Sequence, residues 1–354
     1  MMSTDFWRNK TVLITGHTGF KGTWLSLWLS SLGAKVVGFA LRPRVTPSLF
    51  DLVRLPELMI DIDGDVRDLP AVERAMAQHA PDIVIHLAAQ PLVRESYRDP
   101  VETFGTNVMG TVNILEAVRR SGSPRVVLVI TSDKCYEPSI DEAAPHRESD
   151  PMGGPDPYSS SKGCAELVTS AYRRSFFATG KPALASARAG NIIGGGNFSP
   201  DRLIPDLMAA LSAGRTVAIR SPAAVRPWQF VTDPLAGYMT LVRRLWEDPH
   251  RFAGGWNIGP LDEPSVTVAQ VCDRVCSLWG KDAGWRAVPD SEMHERGVLR
   301  LDVHKAAREL PFVPRLSTDQ ALSATVDWYK TWIAGGDMRI FTLLQIESLG
   351  AVDA

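Results

Sequence analysis

The stretch that most constrains the fold is Gly16-His-Thr-Gly19-Phe-Lys-Gly22, which joins the β-branched run Thr11-Val-Leu-Ile-Thr15 to a helical pattern starting near Thr23. Glycines so placed permit a tight turn. They also bring a helix N-terminus, with its free N–H groups and its dipole, close to an anion such as a pyrophosphate. The spacing is G-x-x-G-x-x-G, where G-x-G-x-x-G is commoner, and glycine turns alone are frequent. A strand before it and a helix after it make the pattern a dinucleotide-binding signature.

The rest of the first half continues this way. Lys35-Val-Val-Gly-Phe39, Asp82-Ile-Val-Ile-His-Leu87 and Arg125-Val-Val-Leu-Val-Ile-Thr131 are apolar on both faces, as strands of a doubly covered parallel sheet must be. Amphipathic stretches, Thr23 to Leu29 and Val108 to Arg120, lie between them, and Ala183 to Arg188 reads as one further strand. Strand–helix alternation implies βαβ units, hence an α/β, Rossmann-like, doubly wound parallel sheet. Beyond about Asn191, Gly194-Gly-Gly196 and several prolines interrupt the pattern. We expect residues 1–190 to bind a dinucleotide. Residues 191–354 are expected to form mainly a smaller, mixed substrate domain, some of whose segments return to the first. A capping box, Ser317-Thr-Asp-Gln320, starts a helix running to Ile333.

The chain has 354 residues with 38 Lys+Arg against 40 Asp+Glu, a net charge of −2, which argues against nucleic-acid binding. No apolar run reaches the ~18 residues a membrane span needs, and the first residues lack the pattern of a signal peptide. The expected location is the cytoplasm. Cys272 and Cys276 stand i, i+4 on a helix face packed on a core, and Cys135 and Cys164 stand apart. The histidines are dispersed, so no metal is expected.

Candidate chemistry gathers at strand ends. Cofactor contacts are expected from Gly16, Thr18, Gly19, Phe20, Lys21 and Gly22, from Asp65 and Val66 after the third strand, and from Leu87, Ala88 and Ala89 after the fourth. No acid lies between Thr23 and Phe50, where NAD binders place one to hold the ribose. Arg42 and Arg44 stand there instead, able to pair a 2′-phosphate, so the residues leave NAD and NADP both open. His86 reads as a packed, hydrogen-bonded histidine. Tyr158-Ser-Ser-Ser-Lys162 puts a phenol and an ammonium on one helix face, where the cation lowers the phenol pKa and makes Tyr158 a base. Thr131-Ser132-Asp133-Lys134, ending the fifth strand, falls at the same sheet edge.

These motifs, with Thr106-Asn-Val-Met-Gly-Thr111, resemble the extended short-chain dehydrogenase/reductase (NAD-dependent epimerase/dehydratase) family over nearly the whole chain. Gln90-Pro-Leu-Val-Arg94, Arg188 to Gly196, Asp201-Arg-Leu-Ile-Pro205 and Arg226-Pro-Trp-Gln are most similar to its branch of 4,6-dehydratases acting on CDP-glucose. The resemblance implies NAD and an intramolecular redox dehydration: oxidation at C4 of the sugar, loss of water across C5 and C6, and reduction at C6. Tyr158 would take the 4-hydroxyl proton, Ser132 hold that oxygen, Lys162 tune the tyrosine and bind the nicotinamide ribose, and Asp133 protonate the leaving 6-hydroxyl.

Relatives acting on dTDP-glucose carry Asp-Glu where this chain has Asp133-Lys134. Lys134 is thus either a neutral base for the C5 proton or a cation steadying the enolate, and the base role is favoured. Gln90, Arg94, Asn191, Arg202, Leu203, Arg226 and Arg296 match positions that hold the sugar nucleotide. The resemblance also implies a homodimer, through helices near Thr106–Arg120 and Tyr158–Phe177, or a homotetramer, and a place in deoxysugar synthesis for surface polysaccharide such as lipopolysaccharide O-antigen. A 4-epimerase and a non-catalytic dinucleotide sensor are the alternatives.

Overall fold

A computed structural model describes residues 4–139, 144–261, 266–288 and 299–350. At its centre is a seven-stranded sheet. Strands β1 (Thr11–Thr15), β2 (Lys35–Ala40), β3 (Ile60–Asp63), β4 (Ile83–His86), β5 (Val126–Ile130) and β6 (Ala183–Arg188) are joined by a later strand, Gly254–Asn257. All neighbours are parallel, in the order Gly254–Asn257, β6, β5, β4, β1, β2, β3. The chain steps outward from β1 to β3, then returns and steps the other way from β4. Connections therefore diverge between β1 and β4, which opens a crevice at the carboxyl ends of the strands.

The apolar runs become strands because both faces are covered. Val12, Ile14, Ile83, Ile85, Val126 and Leu128 enter one core, and Leu13, Val37, Val84, Val127 and Val129 the other. Each such burial stabilises by about 1.5–3 kcal/mol relative to exposure. The helix after β1, Phe20–Ser31, departs from the amphipathic pattern expected of it: Gly22 to Leu29 are all buried. It packs on β1 and β2 but also on helices Thr232–Glu247 and Met338–Leu349, so it has no water-facing side to keep polar. The capping box at Ser317 and Gln320 opens helix Thr318–Ile333, and Cys272 and Cys276 are buried on helix Val268–Trp279.

After residue 190 the chain makes three two-stranded pairs: Ile192–Ile193 with Gln229–Phe230, Val225–Arg226 with Val266–Thr267, and Val217–Ile219 with Trp285–Ala287. Two of its segments return to the central sheet. Gly254–Asn257 forms the edge beside β6, and helix Thr232–Glu247 packs on β5 and β6. Among the described residues no helix is long and apolar enough to cross a membrane.

A buried ion pair fixes the long helix Pro157–Ser175 to the sheet. The Glu166 carboxylate accepts from Arg188 Nε (3.0 Å) and Nη2 (2.8 Å), from Thr131 Oγ1 (2.5 Å) and from Ser186 Oγ (2.6 Å). The helix carrying Tyr158 is thereby set against the strand end carrying Ser132.

His86, closing β4, is buried with Nδ1 2.7 Å from Thr15 Oγ1 and Nε2 3.2 Å from Thr111 Oγ1. Burial, aided by the Lys162 charge, pushes its pKa down to about 3. The unfolded chain takes up this proton below about pH 6.5, whereas the folded one resists until about pH 3. Stability is therefore full above that window and falls with pH inside it, by up to about 1.4 kcal/mol per unit from this residue. Urea unfolding at pH 7 and pH 5 should show the loss in the wild type and a smaller one in His86→Asn. Equal slopes in the two proteins would count against it.

Candidate active site

The crevice is a cavity of about 950 Å³, at the upper end of the range for ligand sites. Its walls are the turn after β1, Leu87 to Gln90 after β4, Thr131 to Lys134 after β5, and residues of the second half including Asn191, Arg202, Leu203 and Arg226. Every described residue that the sequence singles out for catalysis, cofactor or substrate lines this one cavity. Arg296 lies outside the described residues.

Gly16 has a φ of +77°, and a Cβ there would stand 2.7 Å from the backbone nitrogen of Ala88. The turn therefore lies directly on the segment after β4, as only glycine permits. Gly19 caps helix Phe20–Ser31 without any side-chain hydrogen bond, so the first N–H groups of a 12-residue helix open on the cavity beside Phe20 and Lys21. Such an end suits a pyrophosphate. Burial, with the charges of Lys162 and Arg202, pushes the Lys21 pKa down to about 7.

At the ribose end both arginines line the cavity and have carboxylate partners. Arg42 donates to Asp61 at 2.5 Å and lies 3.4 Å from Asp63, while Arg44 donates to Glu102 at 2.6 Å. Parallel pairing of β3 with β2 places Asp61 opposite Gly38 and Asp63 opposite Ala40, just where β2 ends. Asp61 and Asp63 from the neighbouring strand thus pair with Arg42, and Glu102 from helix Pro100–Phe104 with Arg44. His17 Nε2 shares Asp61 at 2.8 Å. Asp65 pairs with Arg67 at 2.6 Å on the same wall.

Tyr158 and Lys162 lie one turn apart on helix Pro157–Ser175, both buried. The Tyr158 backbone N–H donates to Ser96 Oγ at 3.1 Å. Burial raises the phenol pKa, and the groups that draw it down are the Ser132 hydroxyl and the Arg202 charge. Lys162, on the same helix face, donates from Nζ to the carbonyl of Ile130 at 3.4 Å. Burial holds its own pKa down at about 8.

Asp133 and Lys134 occupy a single 3₁₀ turn, Asp133–Cys135, whose cap is the Ser132 hydroxyl. Ser132 Oγ also donates to Asp133 Oδ1 at 2.9 Å. Burial raises the Asp133 pKa against the pull of Lys134 and Ser132. The carboxylate lies flush on Gly190, where any Cβ would overlap it.

Among the substrate candidates, Arg202 Nη2 donates to the Pro91 carbonyl at 2.9 Å, and Arg94 lies 3.4 Å from Asp201. Asn191 Nδ2 is buried with no hydrogen-bond partner among the described residues. The Gln90 side chain is engaged within the protein, donating to Thr103 Oγ1 (2.9 Å) and the Leu92 carbonyl (3.0 Å). Two residues escaped the sequence reading. Asn107 accepts from the Gln90 backbone at 2.8 Å and donates to Ser161 Oγ at 2.8 Å, locking the β4 wall to the Tyr158 helix. Its only signal was its place in Thr106 to Thr111. Asp206 lines the cavity with its pKa pushed up to about 6 by burial and by Asp201, and nothing in the sequence marks it.

The GDP-mannose 4,6-dehydratase family model matches residues 13–325. A CDP-glucose 4,6-dehydratase of Salmonella typhimurium is 48% identical, over 98% of each chain. A dTDP-glucose 4,6-dehydratase of Xanthomonas campestris is 28% identical, over 92% of this chain and 95% of its own. In structure the chain resembles a dTDP-glucose 4,6-dehydratase of Streptomyces venezuelae solved with NAD bound, with a TM-score of 0.78 and 25% identity over 93% of this chain and 99% of that one. With a glycine turn, a Tyr158/Lys162 helix and an acid turn around one crevice, and with relatives matching nearly end to end, this chain belongs to the GDP-mannose 4,6-dehydratase family of extended short-chain dehydrogenases/reductases.

Proposed function

We propose that the enzyme is an NAD-dependent hydro-lyase that converts CDP-glucose to CDP-4-keto-6-deoxyglucose. The observation that carries this reading is the Ser132-Asp133-Lys134 turn facing the same cavity as Tyr158 and Lys162. A 4-epimerase has no water to eliminate and no use for that turn. The relative at 48% identity supports the cytidine base and the glucose. NAD rather than NADP is supported by the carboxylates already paired to Arg42 and Arg44. The uncapped N-terminus beside Gly19 would hold its pyrophosphate, and Lys162 its nicotinamide ribose.

NAD, when bound, supplies the redox chemistry at C4 and later at C6. The protein does the rest. Tyr158 accepts the proton of the 4-hydroxyl while Ser132 Oγ holds that oxygen. The 4-ketone acidifies C5–H, and Lys134 takes that proton as the C6–O bond breaks. Asp133 protonates the departing oxygen, which leaves as water. Asn191, Arg202 and Arg226 hold the nucleotide, so that residues beyond 190 mainly serve the substrate. Arg296 is proposed with them from the sequence alone.

We further propose a homodimer formed through the helices expected from the sequence. Met109 and Leu167 are 52% and 59% exposed on neighbouring segments, an apolar face that a second copy would cover. Light scattering checks this, with Leu167→Glu expected to give monomers. Four free cysteines are in keeping with a reducing cytoplasm.

Mass spectrometry of CDP-glucose incubated with enzyme and NAD is expected to show loss of one water without net cofactor reduction. dTDP-, UDP- and GDP-glucose, run in parallel, should react poorly. An isomer of unchanged mass would support the epimerase, and binding without conversion the dinucleotide sensor.

A further inference from the structure

We propose that Arg44 and Glu102 form a clasp over the crevice that keeps the cofactor in place through the whole reaction cycle, a role that rests on the reading of the chain as an NAD-dependent dehydratase.

Arg44 lies in the segment after β2, and Glu102 on helix Pro100–Phe104, which follows β4. In the sheet, β1 stands between β2 and β4. A contact between the two residues therefore runs across the carboxyl end of β1, where the glycine turn lies. Arg44 Nη2 makes that contact, donating to Glu102 Oε1 at 2.6 Å. Both residues line the cavity, as do Arg42 to Val45 on one side and Thr106 on the other. A dinucleotide with its pyrophosphate on the helix N-terminus beside Gly19 has its adenosine toward the end of β2. The clasp closes over that half.

Both arms are anchored. The segment carrying Arg44 is tied at its start to the glycine turn, where Thr18 Oγ1 donates to the Leu41 carbonyl at 2.8 Å. The helix carrying Glu102 is capped by Asp99, whose side chain accepts from the Glu102 N–H at 2.8 Å. Its Thr103 hydroxyl accepts from Gln90 Nε2 at 2.9 Å, which holds it to the segment after β4. A second ion pair stands beside the first. Arg67 donates to Asp65 at 2.6 Å, and a Cβ on Gly105, just beyond the Glu102 helix, would meet the Arg67 Cδ at 3.7 Å.

The join itself is open to water, with the Arg44 side chain 63% exposed and that of Glu102 27%. An ion pair in that setting adds little to stability and weakens with salt, which suits a contact that has to open for a cofactor to enter or leave. The chemistry sets how rarely it should open. Hydride removed from C4 is the hydride that returns at C6, so loss of the reduced cofactor between the two steps strands an unsaturated keto sugar. An ordinary dehydrogenase releases its reduced cofactor at each turnover, whereas this enzyme has to retain it.

The test compares wild type with Glu102→Gln, Arg44→Glu, Glu102→Arg and the double variant that swaps the charges. NADH release from the holoenzyme is followed by stopped-flow fluorescence, with excess NAD as chase and no sugar present. Glu102→Gln should release NADH about 2–5-fold faster, the scale of an exposed ion pair. Either single reversal, which sets like charges together, should do so about 10-fold faster. The swap should return the rate to within about 2-fold of wild type. Added salt should quicken release more in wild type than in Glu102→Gln. In a second readout, CDP-glucose is turned over with pyruvate and lactate dehydrogenase present, so that each escaped NADH appears as one lactate. Lactate per dehydrated product should rise with the release rate in the single variants and fall back in the swap.

Equal release rates in all five proteins overturn the clasp. A swap that stays as fast as the single reversals overturns it too, because each side chain then acts on the cofactor separately. Faster release without extra lactate overturns its part in the cycle. Variants that release NADH faster in a chain that dehydrates no sugar nucleotide uphold the clasp and overturn the dehydratase reading, and a chain that binds no NAD overturns both.

Discussion

Asp133→Asn should bind cofactor and CDP-glucose as the wild type does, yet form dehydrated product about 10²–10⁴-fold more slowly, the usual contribution of a positioned general acid. The amide matches the carboxyl in shape, so it can rest on Gly190 and accept from Ser132 as before. It has no proton to give the departing 6-hydroxyl. Tyr158 and Ser132 are untouched, so oxidation at C4 should still proceed. The distinguishing result is therefore an accumulated 4-keto hexose that retains its water, seen by mass spectrometry after borohydride trapping with deuterium label at C4. Because burial favours the protonated carboxyl, removing the acid should also remove the alkaline limb of the wild-type pH profile. Wild-type rates of water loss in this variant would transfer the acid role to another group.

Much of this site could be read before the fold was seen, because its signals are local. The glycine turn, the both-face apolar strands, the i, i+4 pair Tyr158/Lys162 and the strand-end Ser132-Asp133 each lie within a few residues, and secondary structure alone brings them to one sheet edge. What the sequence hid depends on strand order. Asp61 is 19 residues from Arg42, and only the pairing of β3 with β2 makes it a partner. Lacking that register, Arg42 reads as free for phosphate. Likewise nothing in the sequence around Lys162 marks the carbonyl that its ammonium meets, which belongs to Ile130 at the end of β5. Helix Phe20–Ser31 differs for the opposite reason: the helix is where it was expected, but it is apolar nearly all round, and later helices bury the side that should have faced water.

Tyr158→Phe tests the earlier half of the reaction and should fail differently. Its ring can stay in place, since the backbone N–H held by Ser96 Oγ and the helix around it do not involve the phenol oxygen. NAD affinity, read by fluorescence titration, should change little, because Lys162 remains to hold the ribose. What disappears is the base for the 4-hydroxyl proton, so turnover should fall about 10²–10⁴-fold. No trapped 4-keto sugar should accumulate. The residual rate should also lose its rise with pH: burial holds the wild-type phenol above its ordinary value, and ionising it against that penalty is what rising pH assists. The two variants thus separate two proton transfers at atoms belonging to neighbouring strand and helix ends. A Tyr158→Phe enzyme that makes the 4-keto sugar at the wild-type rate would move the base to Lys162 or Lys21, whose pKa values burial holds near 8 and 7 and which share the same cavity.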